Sequence, residues 1–376
     1  MSGDNRNPDP GRQRPRIVLI TMARFWDKGY GVAARTRELI LFLSRNYSLA
    51  VAYLGGITQY DVAALQGMGA RFELFILGEL GRQDTPRELA QRFRRHFDES
   101  SPSSVYLIVQ TELSFMLEAI PSNGRTILDT NDLVSDRTQS MEQHRVRAHF
   151  PLTQAQEISL MKRYDRVVCI QQSEFAKVAG WLGPDKVILA PHPVAAVSLP
   201  LRETSAVLGF VASKWHANVD GLRWFIEHVW PLLAQENLRL DICGYVEEAF
   251  RGLQVPNLRF LGFVDDLSAF YATIDIAINP VRYGAGLKIK TVEAMAHGIP
   301  SVVSRQGASG LEALAGQAFL LAEDAVSFAD HVKALAGNYS LRQSLANAAR
   351  SYAVENCSPD RCFRDLARAI DSLSSR

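Results

Sequence analysis

Between Gly284 and Glu293 the chain places two glycines, two lysines and a carboxylate, in the order Gly284, Gly286, Lys288, Lys290, Glu293. Glycines in a loop that enters a helix leave backbone N–H groups unpaired, backed by the positive end of the helix dipole. Such a site suits a phosphate or diphosphate, with Gly284, Gly286 and Leu287 as its backbone contacts. Dipole logic favours acids in a first turn. Lys288 and Lys290 are therefore simplest to explain if an anion sits against them. The glycines alone favour a plainer reading, an ordinary crossover turn, since short glycine motifs are common.

The elements that must hold these residues lie on either side. Ile274–Asn279 is a β-branched apolar run ended by Pro280, which cannot donate to a ladder. Over Leu287–His297, Ile289, Val292, Met295 and Ala296 share one helical face. Gly298 and Pro300 stop that helix, and Ser301–Ser304 begins the next strand.

With its surroundings the motif becomes specific. Glycines, a lysine, then V-E-A-M-A-x-G-x-P-x-V resemble the donor-binding segment of nucleotide-sugar glycosyltransferases of family 4, the group 1 transferases. The resemblance covers most of the C-terminal half and, more loosely, the N-terminal half. It implies an α/β chain of the GT-B fold: two Rossmann-like domains facing each other across a cleft. It also implies that Glu293 holds the ribose of a nucleotide-sugar donor. Many members carry a second glutamate eight residues earlier, where this chain has Ala285. That departure implies altered sugar contacts, not inactivity.

Bulk properties fit this frame. A chain of 376 residues suggests two domains, and 47% hydrophobic with 22% charged residues is globular. A net charge of +1 gives no reason to expect nucleic acid. Cys169, Cys243, Cys357 and Cys362 form no CxxC, and the first two lie in apolar runs, so a reducing cytoplasm is expected. No run approaches the roughly 18 apolar residues that span a bilayer. Residues 1–15 lack an apolar core and are expected to be a disordered polar tail.

The first domain is expected over 16–194. Arg16–Thr21 reads as a buried strand, followed by a loop with Gly29 and Gly31 and a helix over Val32–Arg45. On the residues alone this is either a ligand loop or a plain turn; the resemblance implies that Gly31 faces the cleft. Strands over Leu49–Leu54, Phe72–Ile76, Val105–Val109 and Thr126–Asp129 alternate with helical segments, which argues a parallel sheet covered on both faces. Ligands of such sheets bind beyond the strands' carboxyl ends. Asp129-Thr130-Asn131-Asp132 stands at such an end, with Arg137 following. Relatives often read D-T-H-D there. If the family histidine contacts the sugar, Asn131 can partly substitute, since it can hydrogen-bond a hydroxyl; if it acts as a base, Asp132 or Asp129 would have to serve, since Asn131 cannot take a proton. The plainer alternative is a polar strand end with an Asx turn. Ser173 is expected to cap the helix Glu174–Trp181, and His192 to be structural.

Residues 195–206 read as a linker, 207–358 as the donor domain, and 359–376 as a helix returning to the first domain. In the loop Ser213–Asn218, the resemblance points to Lys214 as a diphosphate contact, with His216 beside the same cleft. Asn218 also fits as a helix N-cap. Phe263 and Val264 resemble the segment that packs the nucleobase, and Asp265 or Asp266 caps the next helix.

These readings make a glycosyltransferase the leading expectation, with a glycan, lipid-linked or protein acceptor and, by resemblance, retention of configuration. Lys214, Lys288 and helix N-terminal amides would stabilise the departing diphosphate without metal or cofactor. A nucleotide-sugar epimerase or hydrolase on the same fold, or a silent donor-binding scaffold, are the alternatives. Finally, Leu89, Phe93 and Phe97 share a face of the helix Arg87–Phe97, flanked by Arg87, Arg92, Arg94, Arg95 and His96. That pattern suits either an anionic membrane surface, for a cytoplasmic protein peripheral to the membrane, or an ordinary core-facing helix.

Overall fold

A computed structural model describes residues 14–27, 29–81, 84–99, 104–204 and 206–375. Most of the tail expected over 1–15 lies outside the described residues. The chain forms two wholly parallel sheets. The first holds β1 (Arg16–Thr21), β2 (Ser48–Tyr53), β3 (Glu73–Ile76), β4 (Ser104–Val109), β5 (Arg125–Asp129), β6 (Arg166–Cys169) and β7 (Val187–Leu189), in the order β3-β2-β1-β4-β5-β6-β7. The second holds β8 (Val207–Val211), β9 (Arg239–Cys243), β10 (Leu258–Phe260), β11 (Ile276–Asn279), β12 (Ser301–Ser304) and β13 (Leu320–Ala322), ordered β10-β9-β8-β11-β12-β13.

Side chains alternate across a strand, so a sheet covered on both faces needs continuous apolar runs. Strand β1 meets that demand: Ile17 and Leu19 enter one core, Val18 and Ile20 the opposite one. Strand order reverses between β1 and β4 in the first sheet, and between β8 and β11 in the second. Crevices at such reversals, beyond the strands' carboxyl ends, are where ligands of these sheets bind. The loops after β1, β8 and β11 all open there.

The terminal helix Arg364–Ser374 packs on the first sheet: Phe363, Leu366, Ile370 and Leu373 join the core of Ile17 and Phe42. The Tyr47 hydroxyl donates to Asp371 at 3.2 Å. A single chain thus crosses between the domains twice.

Several local expectations change. Residues Thr111–Ala119 form a 3-10 helix, and an additional α-helix, Val134–Gln143, follows the β5 loop. The helix for which Asn218 was the expected cap starts at His216 instead, with Trp215 as N-cap. It widens to a π turn at Phe225–Val229, then tightens to 3-10 at Trp230–Leu233, where Pro231 supplies no N–H. Asn218 therefore lies inside the helix, and its amide donates back to the Ser213 carbonyl and hydroxyl. Likewise the helix Gln172–Leu182 takes Gln171, not Ser173, as N-cap. The helix Pro86–His96 spends its apolar face in the core, with Leu89, Phe93 and Phe97 buried. Arg92 donates to the Leu77 carbonyl and to Asp84. This leaves no apolar face to insert into a membrane.

Candidate functional site

Strand β11 ends at Asn279, whose amide donates to the Thr291 hydroxyl at 2.9 Å, and that hydroxyl donates to the Gly307 carbonyl. These bonds pin the start of the helix Ile289–Ala296 to the end of the sheet. Between strand and helix runs the glycine loop, with Gly284 at φ +124° and Gly286 at φ +74°. Side chains rarely adopt such backbone angles, so glycine suits both positions.

The first lysine folds over the loop: Lys288 Nζ donates to the Ala285 carbonyl at 2.7 Å and the Gly286 carbonyl at 3.0 Å. Burial pulls its pKa down to about 8, against the pull of Asp132 and Glu174. Lys290 turns instead to Asn218 Oδ1 at 2.6 Å, its ammonium 4.6 Å from the centre of the Phe210 ring. Burial, helped by Lys288, lowers its pKa to about 7. Glu293 follows on the helix. Burial raises its pKa to about 7, with Lys290 partly offsetting. Among the described residues, no group donates to the Glu293 carboxylate.

The first domain supplies the facing wall. Asp129 ends β5 under a buried ion pair with Arg35, so it is not free to act as a base. Asn131 adopts the left-handed region at φ 61°, with its backbone N–H 3.3 Å from Asp129 Oδ1, which is the Asx-type turn. Asp132 accepts two bonds from Arg137 at 2.8 and 3.0 Å, and Arg137 also binds Glu112. Burial pushes the Asp132 carboxyl up, opposed by Arg137.

The two walls meet at the glycine loop. A Cβ at Gly286 would stand 2.9 Å from both the Asn131 carbonyl oxygen and Asp132 Cβ. Gly284 N–H donates to the Ser140 hydroxyl at 3.0 Å. A Cβ at Gly31, the first residue of the helix Gly31–Asn46, would lie 3.4 Å from Ile289 Cδ1. The starts of the two helices, one from each domain, therefore face the same space. Below it, Met141, Val146 and Ala148 pack with Ala217, Val281 and Tyr283, and the His144 ring lies 4.8 Å from Tyr283. His216 Nδ1 meets the Tyr283 hydroxyl at 3.0 Å.

Other expected residues sit apart from this centre. Lys214 is half exposed and ion-paired with Glu248 at 2.9 Å. Phe263 stacks on Tyr245 at 5.0 Å, and Tyr245 in turn on Tyr30 at 5.8 Å, an aromatic ladder between the domains. Val264 packs among Val207, Cys243 and Tyr271. His192 is buried, with its pKa held down to about 3 by burial and Arg35.

Sequence reasoning missed Arg35, Ser140, Glu174 and Tyr245. Arg35 lies on a helix far from Asp129 in the chain, and Glu174 reads as an ordinary first-turn acid. Neither carried a local signal. Among the described residues, no group of three or more His, Cys, Asp or Glu stands where it would hold a metal ion. No described helix is long and apolar enough to cross a membrane.

Residues 205–338 match the family model of the group 1 glycosyl transferases. The described residues have the GT-B fold. Sucrose-phosphate synthase from Thermosynechococcus elongatus superposes with a TM-score of 0.74 at 14% identity, covering 96% of this chain and 100% of that one. The Anabaena protein HepE, in complex with UDP-glucose, gives 0.69 at 14% identity, with 95% and 99% covered. WaaG, a glycosyltransferase involved in lipopolysaccharide biosynthesis, gives 0.61 at 14% identity, with 94% and 99% covered. An uncharacterized 44.6 kDa protein of the cps region of Klebsiella pneumoniae is 26% identical over 216 residues, 54% of this chain. The match spans 55% of that relative's length.

Proposed function

We propose that this protein is a glycosyltransferase that takes a sugar from a nucleoside diphosphate-sugar and passes it to an acceptor held by the first domain. One observation carries the reading. The glycine loop, Lys288 and the unpartnered Glu293 stand at a helix start that the first domain closes over. Anion binding at a helix N-terminus needs free N–H groups and nearby cations, and this loop offers both. The diphosphate would displace the loop carbonyls as partners of Lys288. Glu293 would accept the ribose hydroxyls. As the leaving group gains charge, Lys288 and the helix amides would stabilise it, so that no metal is needed.

Relatives support the donor class: HepE is known in complex with UDP-glucose. WaaG and the Klebsiella cps-region relative suggest a role in building surface polysaccharide. Retention of configuration and a metal-independent reaction belong to this proposal, as does a cytoplasmic site of action. Contact of the helix Pro86–His96 with an anionic membrane would rest on charge alone, through Arg87 and Arg95.

Thermal unfolding with a panel of nucleoside diphosphates and their sugar conjugates tests the reading, since a ligand of the folded state raises the midpoint. Stabilisation by at least one family of conjugates is expected, followed by transfer of labelled sugar to a bacterial glycan or lipid extract in the presence of EDTA. No stabilisation by any of them would overturn it. Release of free sugar without transfer would favour a hydrolase.

A further inference from the structure

Beside the glycine loop lies a cavity of about 210 Å³ shared by the two domains. Its walls include Gln171, Glu174 and Lys177 from the first domain, and Ala285, Gly286 and Ser309 from the second. It is open on one side and has room for a sugar ring beside the loop. Polar partners on its rim are already engaged with one another: Lys177 pairs with Asp136, and the Ser309 hydroxyl lies 3.4 Å from Gln171 Oε1.

Glu174 is the exception. The residue is 3% exposed, and neither of its carboxyl oxygens has a partner at hydrogen-bond geometry among the described residues; the Gln171 side chain is near enough to favour its ionised form, but less than burial disfavours it. A buried carboxyl without partners weakens a fold, and nearly every such group in proteins is satisfied by something. The methyl of Ala285 and the bare backbone of Gly284 and Gly286 leave the space beside the loop clear. Resting on the donor reading above, we propose that Glu174 is a specificity-determining residue that hydrogen-bonds the hydroxyls of the transferred sugar. The sugar would then be read from the first domain while its diphosphate is held by the second. Burial, reinforced by Asp132, raises the carboxyl to about 8. At neutral pH it is therefore mostly protonated and can both donate and accept, as a sugar hydroxyl does.

Calorimetry on the full chain separates sugar recognition from diphosphate recognition. The probes are UDP with UDP-glucose, GDP with GDP-mannose, and ADP with ADP-glucose; the decisive quantity is the ratio of the two affinities within a pair that binds. In Glu174→Ala this ratio is expected to shift about tenfold against the sugar form, with the bare diphosphate unchanged. A merely structural residue would not move the ratio, and an unchanged ratio overturns the assignment. If Glu174→Ala fails to bind the bare diphosphate, the isosteric Glu174→Gln decides by the same ratio, expected to shift less but in the same direction. Failure of the wild type to bind any of the three diphosphates overturns the underlying donor reading, and this assignment with it.

Discussion

Arg35 grips Asp129 through two parallel bonds, Nε to Oδ1 at 3.0 Å and Nη2 to Oδ2 at 2.8 Å, with both side chains shut off from solvent. Arg35 Nη2 also donates to the Ala190 carbonyl at 2.9 Å, tying the first helix to the strand ends. The polar run after β5 thus divides in two: Asp129 fixes the floor, and Asp132 is left to face the glycine loop. Asp129→Ala would bury an uncompensated guanidinium, so a loss of about 3–5 kcal/mol is expected in urea unfolding. A loss within ordinary surface range would contradict this division.

At Gly286 the expected effect is on the meeting of the domains. Any side chain there is strained by roughly 1–2 kcal/mol in the left-handed region, and Cβ would press on Asn131 and Asp132. Gly316 makes the control: its φ is +76°, but a Cβ there meets nothing within 4 Å. Gly316→Ala should lose only the left-handed strain, and Gly286→Ala at least as much stability, with the clash added. Only Gly286→Ala should lose donor turnover, by tenfold or more in steady-state rates. Equal activity of the two variants would show that the close approach is not needed.

Glu293→Gln should weaken nucleotide-sugar binding by about one to two orders of magnitude, because charge-assisted bonds are worth roughly 1.5–3 kcal/mol. Since burial raises Glu293 to about 7, the ionised acceptor form grows as pH rises through that value. The affinity advantage of wild type over Glu293→Gln should therefore widen from pH 6 to pH 8. Taking the ratio cancels the opposite trend expected from Lys288, on which Glu293 has no resolved effect, whereas Lys290 is held up by Glu293 and titrates with it. A constant ratio, measured by titration calorimetry, would place the ribose elsewhere.

The two lysines expected at the diphosphate part ways in their surroundings. Lys288 is partly buried on the loop, whereas Lys214 is half exposed and engaged by Glu248. If leaving-group charge is stabilised at the loop, Lys288→Ala should lower kcat more than donor affinity. Lys214→Ala should have the smaller effect on kcat, because water and Glu248 already screen its charge. Reversal of that order in single-turnover rates would move the charge-stabilising role to the β8 loop.

Much of this was legible in the chain for physical reasons. Runs such as Arg16–Thr21 have to be sheet interior, and Gly284, Gly286 and Pro300 punctuate the β11 unit in only one sensible way. The helix Pro86–His96 left two readings open because an apolar stripe looks the same whether it meets a core or a membrane; burial of Phe93 decides for the core. Helix starts at His216 and Gln172 were misplaced because Asn218 and Ser173 have cap chemistry but spend it elsewhere or not at all. The Arg35–Asp129 pair and the burial of Glu174 are products of tertiary packing. Spacing along the chain does not encode them.

Glu174 also makes a statement about stability. An ordinary glutamate titrates near 4.5, and burial, with Asp132 adding, lifts this one to about 8. The folded state then holds a proton that the unfolded chain releases between those values, so stability falls as pH rises through that window. Groups facing it are Asp132 and Asp136, which oppose its ionisation, Gln171 and Lys288, which favour it, and the buried Cys169 thiol, which burial and Glu174 hold protonated. Lys177 stands on its own helix, already paired with Asp136. All of these persist in Glu174→Gln, whose amide does not titrate. Urea midpoints of wild type and variant should lie close together at pH 5 and separate by pH 8, with the variant the more stable. Parallel curves across the window would mean that the carboxyl ionises normally, reached by solvent through the open side of the cavity.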